Sequence, residues 1–166
     1  MWYGLSSRFL HLEIMMHKML ELTLADGKEL DIPAGAVVMF EEMNSETNPN
    51  FPSARAFLTY VMGNELRTAI TSTKFEDLMF ELEINTQPGW LRLTQKETGL
   101  RVILLSKNVV GRLSLEDGCE VSYVRGEEVR TITVNESRRE IKKWSERAQV
   151  APPAGLIPLP VPAGAE

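Results

Sequence analysis

Thr59-Tyr60-Val61-Met62-Gly63-Asn64-Glu65-Leu66-Arg67-Thr68 aligns without a gap on Ser122-Tyr123-Val124-Arg125-Gly126-Glu127-Glu128-Val129-Arg130-Thr131, and six of the ten pairs are identical. Average residue usage would give roughly one identity by chance. The chain therefore carries an internal repeat. Working outward, Leu20-Glu21-Leu22-Thr23 resembles Leu91-Arg92-Leu93-Thr94, and Leu30 to Val38 runs parallel to Val102 to Val110. The first copy holds extra residues around Asn44 to Ser53, and Asn48, Pro49, Asn50 and Pro52 mark them as a loop.

Each copy predicts the same series of elements. Strands are expected at Leu20–Leu24, Glu29–Ile32, Ala36–Met43, Ala54–Met62 and Glu65–Ile70, then at Leu91–Gln95, Leu100–Leu105, Val109–Leu115, Cys119–Val124 and Val129–Val134. Asp26-Gly27, Thr98-Gly99 and Asp117-Gly118 supply turns, and Gly63-Asn64 suits a two-residue hairpin. That hairpin sets Tyr60 opposite Arg67 and, in the second copy, Tyr123 opposite Arg130. Tyrosine and arginine then share one face, with valine and leucine packed on the other toward the core. After the strands the pattern turns helical. Thr71, Ser72 or Thr73 is expected to cap a helix reaching about Glu83, and Asn135 one reaching about Gln149. The expected fold class is α+β: two tandem repeats, each a small antiparallel β-sheet followed by one α-helix.

Four segments result. Residues 1–18 form an N-terminal segment with Leu5, Phe9, Leu12 and Met16 at helical spacing; Met15, Met16 and Met19 also offer later translation starts. Residues 19–88 and 89–149 are the two β-rich modules. Residues 150–166 hold most of the nine prolines and are expected to be extended.

Composition narrows the function classes. The 166 residues are 43% hydrophobic and 25% charged with a net charge of −5, a balance typical of globular domains and poorly suited to a general grip on nucleic acid. The one cysteine, Cys119, permits no internal disulfide and fits a reducing compartment, so a cytoplasmic location is expected. No apolar run is long enough to span a membrane, and Arg8, His11, Glu13, His17 and Lys18 interrupt the N-terminal run that a signal peptide would need. His11 and His17, six residues apart, lie on different faces of a helix, so no metal site is expected. Nucleophile motifs, phosphate-binding loops and dinucleotide fingerprints are missing from the sequence. Cys119 reads as a small hydrophobe. Glu41-Glu42 and Glu127-Glu128 are adjacent pairs that point to opposite sides of a strand, with solvated charge as the default. The expectation is a non-enzyme without cofactors.

Charge is unevenly divided. Residues 1–88 carry 6 basic and 13 acidic side chains, whereas residues 89–166 carry 12 and 10. Arg138, Arg139, Lys142, Lys143 and Arg147 make the second helix basic, against Glu76, Asp77, Glu81 and Glu83 in the first. Either the halves attract each other or the basic helix meets an acidic partner. Solvated faces that diverged after duplication would give the same pattern.

Within the second copy, Thr94, Gly99, Asn108-Val109-Val110, Asp117, Gly126, Val134-Asn135-Glu136-Ser137 and Glu140-Ile141 form a pattern that resembles the small flagellar proteins of the FlbD/SwrD type. The resemblance covers roughly residues 90–147 and, more faintly, 20–83. It implies a strand-rich segment leading into a capped helix, a role associated with flagellar operons and swarming, and no catalytic residues.

The expected function is a protein-binding, assembly or adaptor role through a protein partner or self-association, without a membrane. The alternative is nucleic-acid binding by the second module. Candidate binding residues are Tyr60, Arg67, Tyr123, Arg125, Arg130, Arg138, Arg139, Lys142 and Lys143, with tyrosine as a stacking platform and the basic groups for phosphates. The unfamiliar duplicated module also suits a structural or regulatory protein of a phage or mobile element.

Overall fold

A computed structural model describes residues 18–87 and 89–150. The expected N-terminal helix and the proline-rich tail lie outside these residues. Among the described residues the chain forms β1 (Met19–Thr23), β2 (Glu29–Pro33), β3 (Val37–Glu42), β4 (Ala56–Met62), β5 (Glu65–Thr71), helix α1 (Phe75–Glu81), β6 (Trp90–Thr94), β7 (Arg101–Leu105), β8 (Val109–Ser114), β9 (Cys119–Arg125), β10 (Glu128–Val134) and helix α2 (Arg138–Val150). Short 3-10 turns, Ala34–Ala36 and Ser106–Asn108, precede β3 and β8. The order of elements therefore recurs, down to a register shift between Val37 and Met39 on β3 and between Val109 and Gly111 on β8.

The sheets do not follow the repeat. β1 and β2 form a separate hairpin, β8, β9 and β10 a three-stranded sheet, and β5-β4-β3-β7-β6 a five-stranded sheet built from both halves. The expected α+β fold of two tandem sheet-plus-helix units is thus incorrect. The described residues are mainly β, in three sheets with two helices. The junction is β3 against β7, with Met39 opposite Leu104, Phe40 opposite Ile103 and Glu41 opposite Val102. β3 has an edge free for the second hairpin because the first hairpin does not join it.

Both faces of the five-stranded sheet are covered. On one, Phe40, Leu58 and Ile103 pack with Leu20, Leu22 and Ile32 of the β1–β2 hairpin and with Phe75 and Leu78 of α1. On the other, Met39, Leu91, Leu93, Val102 and Leu104 pack with Cys119, Val121, Tyr123, Ile132 and Val134 of the three-stranded sheet and with Ile141 of α2. Double coverage explains why Val37 to Phe40 and Val102 to Leu104 read as apolar runs rather than alternations. Phe40 sits between Phe75 and Trp90, with ring centroids 5.0 and 6.2 Å away. Thr59 Oγ1 on β4 is the one buried side-chain polar atom without a hydrogen-bond partner among the described residues.

Both hairpin registers match expectation: Tyr60 opposes Arg67 and Tyr123 opposes Arg130. The facing is reversed. Tyr60 and Tyr123 are buried, while Val61 and Val129 are 38% and 61% exposed. Burial removes more apolar area from water for a tyrosine ring than for valine, provided the hydroxyl finds a partner. Helix caps also differ. Thr71 Oγ1 and Ser72 Oγ donate to Thr23 O at 2.6 and 3.2 Å, tying β5 to β1. α1 instead starts after Lys74 with no side-chain cap. Ser137 rather than Asn135 caps α2: Glu140 N donates to Ser137 Oγ at 3.1 Å, and Ser137 N donates to Glu140 Oε2 at 3.0 Å. This reciprocal pair is a capping box, and the Ser137 backbone N–H holds the Glu140 carboxyl below its ordinary range.

The duplicated turn allows a paired test. Gly63 and Gly126 both have positive φ, +67° and +63°, which disfavours a side chain by roughly 1–2 kcal/mol. A Cβ on Gly63 would meet nothing within 4 Å, whereas one on Gly126 would lie 3.0 Å from Thr68 Cγ2. Gly126→Ala should lower the thermal midpoint more than Gly63→Ala; equal losses would show that the second turn does not press on the five-stranded sheet.

Candidate functional site

Glu41 and Glu42 end β3, and strand alternation sends them to opposite faces of the five-stranded sheet. Neither is simply solvated. Glu41 is buried, and a buried carboxylate requires compensating partners. Three side chains of the second half supply them. Tyr123 Oη donates to Glu41 Oε2 at 2.7 Å, Arg125 Nε donates to the same oxygen at 3.0 Å, and Arg130 Nη1 donates to Oε1 at 2.7 Å. Burial first, and the Glu41 charge second, push the Tyr123 phenol well above its usual range, so it stays a donor. Arg125 also lies over the Phe57 ring, 3.7 Å from its centroid, and Arg130 Nη2 reaches Gln95 Oε1 at 3.4 Å.

On the opposite face Glu42 takes a forked contact from Arg101, Nε to Oε1 at 2.9 Å and Nη2 to Oε2 at 2.8 Å. Arg101 Nη2 also donates to Glu76 of α1 at 2.7 Å, and its guanidinium lies 4.5 Å from the Phe75 ring centroid. The Arg101 hydrogen bonds hold the Glu42 carboxyl below its ordinary range, against a smaller opposing effect of burial. They do the same for Glu76. These ion pairs all join an acid of the first half to a base of the second, Glu41, Glu42 and Glu76 to Arg101, Arg125 and Arg130. The uneven charge of the halves is partly spent inside the molecule.

A cleft of about 160 Å³ opens beside the Glu41 cluster. Arg125, Arg130, Gln95, Thr98, Asn48 and Phe57 are among the residues that line it.

The residues singled out in the sequence divide into three groups. Tyr123, Arg125 and Arg130 come together on Glu41. Tyr60 is buried against the other core, and Arg67 is exposed, pairing with Glu65 at 3.5 Å. Neither tyrosine offers a ring to solvent for stacking. Arg138, Arg139, Lys142 and Lys143 stand exposed on α2, where Lys142 meets Glu146 at 3.9 Å. Glu41, Glu42, Arg101, Gln95 and Phe57 were missed as site residues. The available signal was a charged pair at the end of an apolar run, since charge in a covered strand needs partners.

Cys119 is buried, and burial pushes its thiol up, which disfavours the reactive thiolate. No group of three or more His, Cys, Asp or Glu side chains among the described residues is placed to hold a metal ion. No helix among them is long and apolar enough to cross a membrane. The chain matches no family model, no curated protein and no solved structure.

Two predictions come from the back-to-back acids. Glu41→Ala removes the common acceptor of three donors and should cost about 3 kcal/mol in urea denaturation; Tyr123→Phe, which removes one donor to a charged group, should cost about 1.5 kcal/mol. The reverse ranking would show that Glu41 is not the centre of the cluster. Glu42 gives a pH dependence. Its pKa is depressed in the folded state, so the Arg101 contact contributes fully above the unfolded value near 4.5 and is lost as pH falls through the folded value. The stability gap between wild type and Glu42→Gln should be widest near neutrality and close below about pH 4.5. A gap independent of pH would dismiss the ionic contact.

Proposed function

We propose that this is a non-enzymatic assembly protein whose copies associate through the three-stranded sheet. One observation carries the reading: β8 is paired on one side only, by β9, and it and its neighbours expose large apolar side chains. Val110 on β8, Leu113 on β8 and Val129 on β10 are 59%, 56% and 61% exposed, and Leu115 follows β8 at 38%. The register puts Leu113 and Val129 on the face directed away from the core. An open strand edge with apolar neighbours is a template for pairing, and Arg112 is the one charge within β8 to guard it. A second copy adding antiparallel at this edge would make a self-complementary contact with two-fold symmetry.

Nucleic-acid binding is the second reading, favoured by the exposed Arg138, Arg139, Lys142 and Lys143 on one short helix. Arg125 and Arg130 add less to it than expected, since both are engaged with Glu41.

Sedimentation velocity across a concentration series decides the matter. The wild-type protein should sediment as a dimer or larger, and Val110→Lys with Leu113→Lys should return it to monomer without unfolding it. A monomeric wild type that binds labelled DNA or RNA steeply more weakly at about 200 mM than at about 50 mM salt would replace the first reading with the second.

A further inference from the structure

The hydrogen-bonding capacity around the Glu41 cleft is unbalanced, and the imbalance points to a ligand. Both oxygens of Glu41 are occupied by donors, and both oxygens of Glu42, which also borders the cleft, are occupied by Arg101. The arginines are less fully used. A guanidinium carries five N–H donors in a planar fork. Arg125 spends its Nε–H on Glu41 and neither of its terminal nitrogens has an acceptor among the described residues, while Arg130 spends Nη1 on Glu41 and reaches Gln95 with Nη2. Each arginine side chain keeps about a third of its surface exposed, 29% for Arg125 and 35% for Arg130. Two guanidinium groups therefore share one saturated carboxylate, while Glu42 is held by Arg101, which leaves a surplus of donors at the cleft.

We propose that this cleft binds a phosphate group, seated between Arg125 and Arg130. Donors arriving from two separate guanidiniums suit a tetrahedral dianion, which accepts from several directions, better than a carboxylate with a single planar fork. Gln95, Asn48 and Thr98 add neutral polar groups at the margin. The volume of about 160 Å³ equals about five waters' share of liquid, enough for one small anion or the phosphate end of a larger molecule. It is below the roughly 300 Å³ at which whole-ligand pockets begin. Phe57 under Arg125 fixes the guanidinium plane, so less freedom is lost on binding. The ligand would touch both halves of the chain, and the inference stands apart from the assembly reading.

The test is side-chain NMR of the full chain, following the Nε–H signals of Arg125 and Arg130 during titration with sodium phosphate, with sodium chloride at matched ionic strength as the reference. Both signals should shift saturably with phosphate, with a Kd at or below about 1 mM. Glycerol phosphate should reproduce the shifts and acetate should not. Asn48→Glu sets a carboxylate at the margin without touching the Glu41 contacts, and should weaken binding at least about tenfold. Thr98→Glu repeats the perturbation from another lining position should the first variant fold poorly. Absence of a saturable shift, equal binding by a folded charge variant, or acetate matching phosphate would each overturn the assignment. Sedimentation is a separate readout, so failure here leaves the self-association reading standing.

Discussion

The fold depends on keeping a carboxylate out of water in the middle of a sheet. Glu41 lies on the central strand of the five-stranded sheet, on the face that receives the three-stranded sheet. An ionised group in that position is tolerable only when its partners arrive in fixed geometry, and leaving it unpaired costs several kcal/mol. Tyr123 and Arg125 on β9 and Arg130 on β10 are those partners. Apolar packing between the layers is non-directional and tolerates sliding. The Glu41 contacts do not, so they set the register of the upper sheet on the central one.

Glu42, one residue on, does the same for the opposite layer. Its forked contact with Arg101 of β7 reinforces the β3–β7 junction, and Arg101 extends to Glu76 at the start of α1. Two successive residues of one strand thus reach three layers. This explains why the acidic excess of the first half and the basic excess of the second are both present in a chain of moderate net charge. It also weakens any argument from the basic second half to nucleic acid, because three of its arginines already have acidic partners.

Much of this architecture was legible as elements and little of it as assembly. All ten strands lie within two residues of their expected bounds, and both hairpin registers follow from the Gly63 and Gly126 turns. These are local properties, set by turn chemistry and short-range periodicity. The partition into sheets is not local. Whether the β6–β7 hairpin closes on its own module or adds to β3 depends on contacts far apart in sequence, and the aligned repeat made the first choice look natural. The facing of the tyrosines failed for a related reason. Alternation identifies two faces but does not say which is inside when Val61 and Leu66 on one side compete with Tyr60 on the other. What decides Tyr123 is the acceptor waiting on Glu41, 82 positions away. Helix α2 shows the same limit at shorter range, since Asn135 and Ser137 are both good caps and only Ser137 has Glu140 three residues on to complete the box.

The division of labour among the arginines connects this framework to function. An arginine that only stabilised the fold would be expected to set its fork against a matching carboxylate, as Arg101 does with Glu42. Arg125 and Arg130 share a single carboxylate between them and keep part of each guanidinium at a cleft. That geometry stabilises less per arginine than two separate forked pairs would, and it leaves donors facing solvent. Likewise, Leu113 and Val129 contribute nothing to either core, and their exposure costs solubility without adding stability. Side chains of these two kinds carry the features that folding alone does not demand. The cleft and the β8 edge are therefore where binding is best sought, while the tyrosines of the repeated turn belong to the scaffold.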